Sequence, residues 1–306
     1  MTLCLASLML VGLAMRSEPD RGNPGDTLTE AGITERDDRQ LTNEEHPAGA
    51  PDSRASAALS AARSAAATSA GAADAGTATA AAASTAPSAP ARELPLCTVA
   101  DDQAAAAGYD EWRTTLLDTR FRLDETYEPP DLVPTSAAFP PGSQAHGGGT
   151  LRALVIDDLR ALVSDAAAAG FDLAIQSAYR SFAYQETTFQ YWVDLQGYDH
   201  AIRTSARAGH SEHQLGTAVD LRSLRGPAAW DVDDWASTPE GAWVAENAWR
   251  YGFVMSYPSG KEHVTCYAYE PWHFRYVGRE LAAAVNASGL APREVMWRML
   301  EEATAP

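Results

Sequence analysis

The chain has 306 residues, 23 basic and 41 acidic, for a formal charge of −18, and Lys261 is its one lysine. A chain this acidic lacks the broad basic surface that phosphate-backbone binding needs, which argues against a nucleic-acid partner. With 45 % apolar residues and eight tryptophans it can build a sizeable core, while no apolar run reaches the roughly 18–20 residues of a membrane-spanning helix.

From the N-terminus, residues 3–15 read LCLASLMLVGLAM, about the length of a signal-peptide apolar region. No basic stretch precedes the run, and the small-residue cleavage site around Gly12-Leu13-Ala14 is weak. The expectation is an imperfect export signal or an anchor that associates with a membrane. Residues 16–54 are polar, acidic and broken by Pro and Gly, and 22 of the 44 residues from 48 to 91 are alanine. Alanine favours helix, but the tract offers almost no large apolar residue to dock, so residues 16–100 read as a disordered linker. The folded domain is expected over 101–306. Three cysteines are too few for a disulfide scaffold. Cys4 lies in the apolar run, which leaves Cys97 and Cys266 as a pair that would tie the tail to the domain in an exported protein. Two unrelated thiols are the other reading.

Within the domain, Leu151, Leu154, Val155, Leu159, Leu162, Val163 and Ala166 fall on one face of a helix over 150–169, stopped by Gly170. Phe171, Leu173 and Ile175 then alternate as in a half-buried strand. A second helix is expected over 182–195. A third starts at Thr238-Pro239, an N-cap and first-turn pair, and stops near Gly252. Short strands over 253–257 and 272–277 and helices over 279–287 and 292–303 complete one α+β domain.

The polar chemistry concentrates in three segments: Ser177-Ala178-Tyr179-Arg180-Ser181, the run from Ser211 to Asp220, and the run from Glu270 to Tyr276. Strand alternation separates their side chains. Trp272 and Phe274 share a face opposite His273 and Arg275; Val219 and Leu221 lie opposite Ala218, Asp220 and Arg222; Phe171, Leu173 and Ile175 lie opposite Gln176, Ala178 and Arg180. Side by side, these strands would bring His, Asp and Arg to one cleft. Gly216, with the β-branched Thr217 and Val219, argues for a bend into a strand between His213 and Asp220. Pro271 biases Glu270 away from helical geometry, at a strand entrance. Two imidazoles and a carboxylate suit a catalytic zinc, and a nearby non-ligand glutamate suits a base. The H-E-x-x-H signature is absent, and His210 is a rival ligand.

S-x-H-x-x-G-x-A-x-D over 211–220, followed by E-P-W-H-x-R over 270–275, resembles the VanY-type zinc D-alanyl-D-alanine carboxypeptidases, within the group that includes LD-carboxypeptidases and the Hedgehog-like fold. Ser177-x-Tyr179-Arg180-Ser181-x-x-x-Gln185, Tyr257-Pro258 with Lys261 and Tyr267-x-Tyr269, and the stretch 116–133 extend the likeness over roughly 110–280. The resemblance implies a small, mainly antiparallel sheet with helices packed on one face. It implies that His213, Asp220 and His273 hold Zn2+, that Glu270 is the general base, that Arg180 faces the scissile carbonyl, and that Gln185 and Ser211 contact substrate.

The implied activity is hydrolysis of the terminal D-Ala of peptidoglycan stem peptides, by an exported or envelope-anchored bacterial enzyme expected to act as a monomer. LD-carboxypeptidase or stem-peptide endopeptidase action on the same site, and a zinc-containing wall-binding module without turnover, are the alternatives. Cys266 departs from the small residue usual in the family and so favours its pairing with Cys97. Glu212 and Gln214 read as solvent-facing or supporting the ligands, and His200 and His263 as surface residues. His146, in Ala145-His146-Gly147-Gly148-Gly149, reads as part of a loop.

Overall fold

The computed structural model describes residues 93–141 and 147–304. The export segment and most of the linker lie outside these residues, as do Ala145 and His146. Two short strand pairs come first. β1 (Asp102–Gln103) runs parallel to β2 (Phe121–Arg122), and β3 (Leu132–Pro134) pairs antiparallel with β4 (Thr150–Arg152). Residues 150–152, expected to open a helix, are therefore a strand, and α1 spans Ala153–Ala168. The main chain decides this: the amide of Arg152 donates to Gly216 O and that of Ala153 to Asp131 O, both 2.8 Å, so the backbone is already paired before the helix starts.

After α1, β5 (Leu173–Ser177) leads to α2 (Phe182–Gln196) and α3 (Tyr198–Thr204). Ser181 caps α2 by accepting from the Tyr184 amide at 3.2 Å. β6 (Ala218–Ser223) is followed by α4 (Pro239–Asn247), capped by Thr238 Oγ1 on the Gly241 amide. β7 (Phe253–Met255), the single turn α5 (Glu262–Thr265), β8 (His273–Tyr276), α6 (Arg279–Ser288) and α7 (Pro292–Thr304) complete the chain. Among the described residues no helix is long and apolar enough to cross a membrane.

The central sheet is antiparallel throughout, in the order β5-β6-β8-β7. One face carries Leu173, Ile175, Val219, Leu221, Phe253 and Phe274, which bury against Val155, Leu159 and Leu162 of α1 and Val244 of α4. Burying such side chains stabilises the fold by about 1.5–3 kcal/mol each, and this fixes which way the alternate residues point. Beyond edge strand β7, Val254 joins Leu281, Val285 and Met296 in a second apolar cluster with α6 and α7. The alternate face is buried as well, but it is polar: Asp220, His273 and Arg275 lie there.

The boundary placed at residue 101 falls inside an anchored stretch. Thr119 Oγ1 donates to Thr98 O at 3.1 Å, Arg293 donates to Pro95 O at 3.0 Å, and Cys97 stands at disulfide distance from Cys266, with Cα atoms 5.1 Å apart. Cys266 has φ +73, the left-handed region that favours glycine. Glycine is the relaxed residue there, and the cysteine gives up that ease at a position within disulfide reach of Cys97, 169 positions away. Cys97→Ser is expected to lower the unfolding free energy by about 2–4 kcal/mol, read from the denaturant midpoint. An unchanged midpoint, with a parent chain whose intact mass gains no hydrogens on reduction, would remove the link.

Candidate metal centre

Three chain segments meet over the polar face of the sheet. The register pairs Asp220 of β6 directly with His273 of β8, so their side chains emerge side by side. His273 Nδ1 lies 3.0 Å from Asp220 Oδ1. His213 arrives from a 3₁₀ turn over Glu212–Leu215, which Ser211 Oγ caps by accepting the His213 amide at 3.3 Å. Gly216 ends that turn at φ +70; a β-carbon there would come within 2.9 Å of Arg152 Cγ, so only glycine lets the chain pass into β6.

The two imidazoles stand 4.9 Å apart at 72°, and the ligand atoms of His213, Asp220 and His273 all lie within 4.8 Å of one another, all three residues buried. The orientation of His213 is set from behind, where its Nδ1 lies 2.6 Å from Ala178 O. A carbonyl only accepts, so Nδ1 carries the proton and Nε2 presents a lone pair. That Nε2 is buried without a hydrogen-bond partner, 3.3 Å from Asp220 Oδ1. Burial, reinforced by Arg180, brings His213 down to about 4, so the imidazole is neutral. A neutral lone pair facing a carboxylate in a dry pocket is repulsive unless a cation lies between them, and two imidazoles with one carboxylate match zinc chemistry. The residues fit a metal.

Glu270 sits just before β8, where its amide donates to Tyr257 O and its carbonyl accepts from the His273 amide. Its carboxylate reaches within 4.0 Å of His273 Nδ1 and keeps 17 % exposure. Burial lifts its pKa to about 7, against the attraction of His273. Arg180 approaches from the segment after β5, where the pairing with β6 shifts register between Ile175 and Ser177. Its Nε donates to Gln185 Oε1 at 2.8 Å and its NH1 to Ser177 Oγ at 2.7 Å, with NH1 3.7 Å from Asp220 Oδ2 and a fifth of the side chain open to solvent.

The structure corrects several expectations. Gln185 is fully buried, and its amide group is taken by Arg180 and by Ala206 O, which steadies Arg180. Ser211, also buried, caps the turn that carries His213. His210 is not a ligand: its Nδ1 is 2.7 Å from Asp118 O and its Nε2 3.1 Å from Asp101 Oδ1. Gln214 is buried and donates to Asp124 O and Tyr127 O. Glu212 is buried too, between His273, Ser256 and Arg275. Strand alternation placed Arg275 beside His273; nothing in the one-turn segment around Glu212 marks which way that side chain points.

A family model described as VanY, D-alanyl-D-alanine carboxypeptidase, matches residues 148–279. YodJ of Bacillus subtilis (strain 168), a protein named as a carboxypeptidase, is 36 % identical over 180 residues, 58 % of this chain and 65 % of that one. A D-alanyl-D-alanine carboxypeptidase of Enterococcus faecium is 35 % identical over 144 residues, 47 % of this chain and 43 % of that one. The chain thus spans less than two thirds of either curated relative. Among solved structures, the LdcB LD-carboxypeptidase is 31 % identical with a TM-score of 0.52, the alignment covering 66 % of this chain and 98 % of that one. Titration of metal-stripped protein with zinc is expected to fill one site per chain. His213→Ala and His273→Ala should each abolish it, and a full equivalent retained in either variant would remove that residue from the ligand set.

Proposed function

Because the chain belongs to the VanY-type peptidase family, we propose that it is a zinc-dependent D-alanyl-D-alanine carboxypeptidase that removes the terminal D-Ala of peptidoglycan stem peptides. The observation that carries this reading is the buried His213–Asp220–His273 cluster, with Glu270 and Arg180 converging on it.

His213, Asp220 and His273 hold the ion, which when bound supplies Lewis acidity and an acidified water. Glu270 does the proton work. With a pKa near 7 and partial exposure, its carboxylate accepts the proton of the attacking water and returns it to the leaving amine nitrogen. The Arg180 guanidinium, fixed by Ser177 and Gln185, meets the negative charge that develops on the carbonyl oxygen. Gln185 and Ser211 act one step back, keeping Arg180 and the His213 turn in place. The Cys97–Cys266 link supports an extracytoplasmic location, since disulfides persist in oxidising compartments.

The LdcB likeness, which covers nearly all of that chain, favours LD-specificity as a second reading of the same site. Mass spectrometry of penta- and tetrapeptide muropeptides, with and without chelator, separates the two. Chelator-sensitive loss of one alanine from the pentapeptide supports DD-action, loss only from the tetrapeptide supports LD-action, and intact substrates from zinc-loaded protein overturn both. On the cleaved substrate, Glu270→Gln is expected to retain zinc and lose turnover; near-normal activity would remove Glu270 as the base. Arg180→Ala is expected to lower kcat by about 10²–10³ with zinc retained, measured by single-turnover cleavage.

A further inference from the structure

His213 and His273 face the cluster with different ring nitrogens, and each has an acceptor behind its other nitrogen. For His213 that acceptor is a neutral carbonyl, Ala178 O. For His273 it is a buried carboxylate: Nε2 lies 3.0 Å from Glu212 Oε2. Glu212 is itself held on three sides. Its Oε2 accepts from Ser256 Oγ at 2.5 Å and its Oε1 from Arg275 NH1 at 2.8 Å. Arg275, wholly buried, uses NH2 to donate to Trp112 O at 2.6 Å and Thr115 O at 2.8 Å. A carboxylate clamped by a guanidinium stays ionised and only accepts. Nε2 is thus the ring nitrogen turned to Glu212, and Nδ1 is the one turned to the cluster, 3.0 Å from Asp220 Oδ1 and 4.0 Å from the Glu270 carboxylate.

We propose that Glu212 is a positioning residue for the metal centre: with Arg275 anchored on the Trp112–Thr115 turn, it selects the His273 tautomer whose Nδ1 binds the ion and sharpens that nitrogen as a ligand. The inference rests on the metal-centre reading but not on the peptidase activity. An imidazole whose far N–H donates to a carboxylate is a stronger metal donor than one left to water, and losing such a partner typically weakens metal binding by about 10–100-fold. The His273 ring also packs against Tyr257, with centroids 4.8 Å apart and planes tilted by 30°, which restricts its turning over to offer the other nitrogen.

The test has two arms, neither of which needs turnover. In the zinc-loaded parent protein, nitrogen-15 NMR of the imidazoles should place the His273 proton on Nε2 and the His213 proton on Nδ1. A proton on Nδ1 of His273 overturns the proposal whatever any variant does. In the second arm, zinc affinity is measured by competition with a chromogenic chelator. Glu212→Ala should bind zinc about 10–100-fold more weakly than the parent. Glu212→Gln, which still offers a carbonyl oxygen to Nε2–H, should lie between the two. Parent-like zinc affinity in folded Glu212→Ala overturns the proposal. Zinc binding by the parent without muropeptide cleavage would count against the peptidase reading alone.

Discussion

Everything at this site follows from one electrostatic conflict. The His213 Nε2 lone pair and the Asp220 carboxylate face each other at 3.3 Å, buried, with no proton available between them because the far nitrogen of His213 is committed to Ala178 O. In water such a contact would relax by rotation or solvation. Here the sheet register fixes Asp220 and the glycine-terminated turn fixes His213, so the contact is built into the folded chain, and a bound cation would relieve it. Folding energy from the apolar face of the sheet holds the three side chains together.

That division of labour explains why the small sheet is buried on both faces. The side that packs on α1 and α4 is uniformly apolar. The other side carries full charges: Asp220, Arg275 and, on the adjacent turn, Glu212. Arg275 and Glu212 meet each other at 2.8 Å, Ser256 adds a donor to Glu212, and the Arg180 guanidinium lies 3.7 Å from Asp220. At Glu270, His273 Nδ1 lies 4.0 Å away, the side chain keeps a solvent-facing edge, and burial lifts its pKa to about 7.

Strand periodicity carried much of this in the sequence. Alternation in 218–222 and 272–276 separated core from site residues, and the pairing of Asp220 with His273 follows once those strands are neighbours. The motifs supplied the identity of the cluster. What alternation cannot report is how a side chain lies in a 3₁₀ turn, and so Glu212 and Gln214 were assigned no definite place although both are buried. Residues 150–152 mimic a helix because Leu151 and Leu154 fit the helical period; their strand geometry comes from pairing with residues 132–134 and from the Arg152 amide on the distant Gly216 carbonyl, tertiary causes with no local trace. For Gln185 and Ser211 the motif marks proximity to the site; in the folded chain Gln185 bonds Arg180 and Ser211 caps the His213 turn.

The acceptors that hold Arg275 are main-chain carbonyls, those of Trp112 and Thr115. They lie outside the stretch 148–279 matched by the family model, and any residue type can furnish them. The side chains along that turn are thus free to drift without loosening the clamp, provided the path of the backbone is kept. An insertion or deletion of one residue would shift both carbonyls at once. Length, more than composition, is the inheritable constraint on this part of the chain.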